Sequence, residues 1–90
     1  MSVISCLAKS LSGHDRDEIF AVCGEENGFV FLADGHGRTL ARPKKKNRKH
    51  VQIIRHVSPL LSHEMEKAAR DSDIIHILRL YRKMAGEDNL

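Results

Sequence analysis

The residues with the most chemistry to offer are cations. Arg42, Lys44, Lys45, Lys46, Arg48, Lys49 and His50 fall within residues 42–50, interrupted only by Pro43 and Asn47. Ammonium and guanidinium groups at this density gain affinity for a phosphate backbone by releasing condensed counterions, whatever the base sequence. The surrounding segment reinforces the signal. No Asp or Glu lies between Asp34 and Glu64, and this window, with Arg38 and Arg55 at its flanks, holds eight of the fifteen Lys and Arg. The other seven face twelve acids, so a formal charge of +3 divides into one basic segment and a net acidic remainder. Such asymmetry within one domain points to a polyanionic partner on one side. A solvated loop and a nuclear localisation signal are the other readings of such a run.

Other constellations are thin. The six histidines (His14, His36, His50, His56, His63, His76) contain no His-x-x-x-His pair, and Cys6 and Cys23 are not spaced as Cys-x-x-Cys. Zinc needs such clustering, so neither a metal nor a cofactor is expected. A Cys6–Cys23 disulfide is conceivable if their strands are neighbours, but nothing points to an oxidising compartment. Ser10, Ser12, His14 and Asp15 share one short turn without an oxyanion-hole signature, and Gly35-His36-Gly37 is too short for a phosphate loop. The expectation is no enzyme and no small-molecule substrate.

The elements that position the run follow from the apolar pattern. Ninety residues make one small domain, burying roughly 60–65% of its unfolded surface. With three Phe, one Tyr and no Trp, Val, Ile and Leu must fill the core. Residues 2–8, 18–23, 29–32, 38–42 and 50–57 read as five short strands. Between them stand turn residues, with Asn27-Gly28 the clearest hairpin signal. Pro43 ends the fourth strand, leaving the basic run as a loop held between strands four and five. Ser58-Pro59 reads as the start of a helix carrying Leu61, Met65 and Ala68. Ser72 can cap a second helix, with Ile74, Ile77, Leu78 and Tyr81 on one face and Gly86 at its end. The fold class is mainly β with C-terminal α: a small antiparallel barrel over residues 1–57, then two short helices over 58–86 packed on it. With no signal peptide and no apolar run approaching about 20 residues, a soluble cytoplasmic chain is expected.

Three blocks support a family resemblance. Phe29-Val30-Phe31-Leu32-Ala33-Asp34-Gly35, then Arg38-Thr39-Leu40, then Arg42-Pro43-Lys44-Lys45-Lys46-Asn47-Arg48-Lys49-His50 resemble the bacterial KOW-domain RNA-binding proteins, relatives of the ribosomal large-subunit protein fourteen-e. Ser10, Gly13 and Asp15 match that family's first turn, while Asp17 stands where its second glycine usually falls. The resemblance implies an SH3-like barrel that binds structured RNA, with ribosomal RNA the partner its relatives suggest. On that reading Lys44, Lys45, Lys46, Arg48 and Lys49 lie along phosphates, Arg38 and Arg42 extend the patch from the preceding strand, and His50 flanks it. Lysines position rather than read, so base specificity would be slight. The competing readings are a protein-interaction module of the transcription or translation machinery, using the Ile74–Tyr81 face, and a sequence-nonspecific DNA binder.

Overall fold

The computed structural model describes residues 2–86, and the polar tail expected after Gly86 lies outside them. Five strands come first: β1 (Cys6–Ser10), β2 (Ile19–Glu26), β3 (Phe29–Ala33), β4 (Lys44–Asn47) and β5 (Val51–Ile54). Helices α1 (Pro59–Glu66) and α2 (Asp71–Gly86) follow. The sheet order is β4-β3-β2-β1-β5, with every pair antiparallel. Only a 3-10 turn, Arg48–His50, separates the two edge strands in sequence. Four residue steps span at most about 14 Å, whereas the edges of a flat five-stranded sheet stand roughly 19 Å apart. The sheet must therefore curl, and it does so into a barrel-like domain. No ladder joins β4 to β5 among the described residues.

The sheet carries apolar groups on both faces, which is why its strands read as continuous runs rather than clean alternations. Ala8, Phe20, Val22, Val30, Leu32 and Val51 fill the inside of the curl. On the other face Leu7, Ala21 and Ala33 meet Leu61, Ala68, Ile74, Ile77 and Leu78 from the helical segment. Ile74, Ile77 and Leu78 are at most 1% exposed, and burying each such side chain contributes about 1.5–3 kcal/mol. That apolar face of α2 is thus spent on the domain's own core. No helix of the described residues is long and apolar enough to cross a membrane.

Local signals explain most boundaries. Asn27 and Gly28 both take positive φ (50° and 84°), the conformation a tight two-residue hairpin needs. Ser58 Oγ accepts the Leu61 N–H at 3.1 Å, with Pro59 at the first helical position. The second helix departs from expectation. It begins at Asp71, and Ser72 lies inside its first turn. Arg70 instead holds the cap position, and Asp73 in the first turn reaches back, its Oδ2 accepting the Ala69 and Arg70 N–H groups at 2.8 and 3.1 Å, as in a capping box. Those backbone donors hold its carboxyl below the ordinary range.

The fourth strand is the main correction. Residues 38–42 form no strand, only an isolated bridge between Thr39 and Arg42, because Asp34 gathers them into a loop. Its Oδ1 accepts the His36 and Arg38 N–H groups at 2.9 and 3.0 Å. Gly35, at φ +85°, lets this loop press on α2, where an added Cβ would stand 2.6 Å from the Asp71 carbonyl oxygen. Asp71 Oδ1 in turn accepts the Leu40 N–H at 2.8 Å. The strand lies one step later, in the lysine run itself.

Candidate nucleic-acid interface

Because Lys44–Asn47 is a strand, its side chains alternate between faces. Lys44 pairs with Leu32 and Lys46 with Val30, and both partners belong to the inside of the curl. Cross-strand partners share a face, so Lys44 and Lys46 point inward, while Lys45 and Asn47 point out. Of the three lysines expected along phosphates, only Lys45 points away from the curl, while Lys44 and Lys46 face Asp15. Lys46 is 8% exposed, and its ammonium is already spent.

Its partner is Asp15. Lys46 Nζ donates to Asp15 Oδ1 and to the Ser12 carbonyl, each at 2.7 Å. Lys44 Nζ donates to Asp15 Oδ2 at 2.6 Å, and Ser10 Oγ to Asp15 Oδ1 at 2.7 Å. Desolvation alone would push the Asp15 carboxyl up, but hydrogen bonds from Lys44, Lys46 and Ser10 outweigh it and hold the group well below the usual carboxylate range. Gly13, at φ +87°, bends the turn so that the carboxylate reaches β4. The window without acids in sequence acquires one in space, and the turn between β1 and β2 is thereby latched to the edge strand.

Asp17 completes that turn at φ +72°. Only Gly adopts this conformation freely, while Asp tolerates it. Its exposed carboxylate lies 3.8 Å from Lys9 Nζ, a contact of little energetic weight.

The remaining cations face outward in three directions. Lys45 stands over the Phe29 ring, its Nζ 4.5 Å from the centroid. Lys49 and His50 are exposed on the 3-10 turn, which Asn47 caps by accepting the Lys49 N–H at 2.8 Å. Arg38 and Arg42 are exposed on the loop between β3 and β4, not on a strand. None of these, nor Arg48, makes a salt bridge among the described residues.

Arg48 leads from the basic run into a groove of about 1140 Å³ between β5 and the C-terminal half of α2. Lys9, Arg48, Arg55, His56 and Arg82 line it against a single acid, Asp17, over a floor that includes Leu11, Ile53 and Tyr81. Sequence alone singled out neither Lys9 nor Arg82, which lie 39 and 34 positions from Arg48. The β1–β5 pairing and the packing of α2 bring them together.

Cys6 and Cys23 are both free, although their strands are neighbours. Cys23 sits where the β2–β3 register shifts, its Sγ donates to the Phe31 carbonyl at 3.4 Å, and burial pushes its thiol up. Among the described residues no three His, Cys, Asp or Glu side chains gather in a metal-binding arrangement.

A curled five-stranded sheet backed by two helices, with cations along one edge and one groove, is the class of domain that fold and surface define. No protein-family model matches the chain, and no curated protein matches it.

Proposed function

We propose that this protein binds structured RNA, through the outward cations of the β4 edge and 3-10 turn together with the groove beside β5. The observation that carries the reading is continuity. Lys45, Arg48 and Lys49 leave the edge strand and Arg48 enters a groove that adds Lys9, Arg55, His56 and Arg82. A track of Lys and Arg side chains with His56 beside them and one acid along it suits a phosphate backbone. Recognition by shape and phosphate contacts, rather than base edges, fits a folded RNA. The resemblance of the Ala-Asp-Gly and Pro-Lys-Lys-Lys blocks to KOW-domain proteins favours RNA over DNA, and with it a cytoplasmic place near the translation machinery. The protein-docking alternative loses its main support, since Ile74, Ile77 and Leu78 are buried in the domain's own core.

The test is fluorescence anisotropy with a labelled RNA hairpin from low to moderate salt, with duplex DNA as competitor. Affinity should fall steeply with salt, and duplex DNA should compete poorly. No binding at low salt, or binding indifferent to salt, overturns the proposal. Equal competition by DNA turns it into non-specific nucleic-acid binding.

A further inference from the structure

The outer face of the β2–β3–β4 region holds chemistry that the cation track does not use. The chain has three Phe and no Trp, yet Phe29 and Phe31 belong to neither hydrophobic cluster. They stand two apart on β3, half-buried, on the face opposite Val30 and Leu32. On this face the helix-covered cluster includes Ala21 and Ala33 but not the two rings. Phe31 lies against Gly24, where an added Cβ would come within 3.4 Å of the ring. Opposite Phe31 on β4 stands Lys45, and opposite Phe29 stands Asn47. Glu26 pairs with Phe29 from the β2 side.

We infer that Phe29 and Phe31 form a stacking platform for two unpaired bases of single-stranded RNA, with Lys45 taking the phosphate between them. This rests on the nucleic-acid reading above. Rings two residues apart on a strand are about 7 Å apart, a step that an unstacked strand covers in one nucleotide. Aromatic rings beside a cationic groove are the recurrent means of holding single strands, because every base has a face to stack. In the free protein Lys45 covers the Phe29 ring at 4.5 Å. An arriving phosphate draws that ammonium aside and leaves the ring to a base. Charge selects this occupant: Lys45 stands opposite Phe31 with its ammonium over the Phe29 ring, and Arg48 and Lys49 continue the cationic edge beyond Asn47. The bound RNA then has a single-stranded loop or end over β3 and phosphates along the β4 edge.

The experiment compares wild type with a Phe29→Leu, Phe31→Leu double variant, which keeps apolar bulk and removes the rings. Probes are a labelled uridine decamer and a ten-base-pair RNA duplex, with circular dichroism to check the fold. The variant should lose about tenfold or more on the decamer, keep its duplex affinity, and keep its salt slope. Unchanged decamer affinity in a folded variant overturns the platform and leaves the cation track standing. Failure of wild type to bind either RNA overturns both. Should the variant not fold, the Phe29 and Phe31 ring protons of wild type decide, since stacked bases must shift them upfield and unmoved signals overturn the platform. Concentration-dependent dimerisation of wild type that the variant abolishes overturns it in favour of a second copy on this face.

Discussion

Lys45 and Lys46 are adjacent and identical, yet replacing them by Met should cost very different amounts of stability. Lys46→Met removes an ammonium that holds Asp15 Oδ1 and the Ser12 carbonyl at 2.7 Å each, from a side chain only 8% exposed. Removing one partner of a fully buried ion pair costs about 3–5 kcal/mol. Here Lys44 and Ser10 still hold the carboxylate, and its side chain keeps 11% of its exposure. The expected loss is therefore about 2–3 kcal/mol, at the lower end of that range or below it. Lys45→Met forfeits an exposed cation–ring contact worth roughly 0.5–1 kcal/mol. Domains of this size have a total stability of about 5–13 kcal/mol, so Lys46→Met should lower Tm by roughly 10–20 °C. Urea unfolding followed by far-ultraviolet circular dichroism, with equal m-values, measures both. Adding Asp15→Asn to Lys46→Met should recover part of the loss, because the stranded charge is gone. Equal stability of the two lysine variants, within about 0.5 kcal/mol, would refute the inward assignment of Lys46.

Acid should weaken the same latch. The Asp15 carboxyl is depressed in the fold, so its contribution is fully present above about pH 4 and is lost as pH falls toward the folded value; Asp15→Asn should flatten that limb of a pH–stability curve. Asp17→Gly should stabilise the fold by about 0.5–1 kcal/mol, since φ +72° suits glycine better than aspartate, and a lower midpoint in urea would count against it. Gly35→Ala should cost about 2 kcal/mol or more, because its Cβ meets the α2 backbone at 2.6 Å and the φ is left-handed. A thermal melt matching wild type would mean that the loop can lift away from α2 without cost.

Much of the fold is written in short-range signals. Asn27-Gly28 announced a hairpin and Ser58-Pro59 a helix start, because both act through their own backbone. The Ile74, Ile77, Leu78 stripe gave the face of α2 that packs inward. The lysine run misled for a physical reason. Four charged or amide side chains read as a loop, yet an edge strand tolerates lysine, and Asp15 from another turn neutralises the two that face inward. Nothing local to residues 44–47 reveals that partner, since it stands 31 positions from Lys46. The signal lay in Ser10, Gly13 and Asp15, whose agreement with a family turn marked the turn without saying what it touches. The groove was equally hidden, for Lys9 and Arg82 reach Arg48 only through strand pairing and helix packing.

The account stands on the outward cations, and one measurement tests them most directly: the slope of log affinity against log salt for an RNA with a single-stranded loop, in wild type and in an Arg48→Ala, Lys49→Ala variant. Each lost phosphate contact reduces that slope by about 0.7 on a single strand. The variant should therefore bind more weakly, with a slope shallower by roughly 1.4, and with unchanged unfolding in urea. An unchanged slope and affinity in a folded variant would contradict the account and move the site away from this edge.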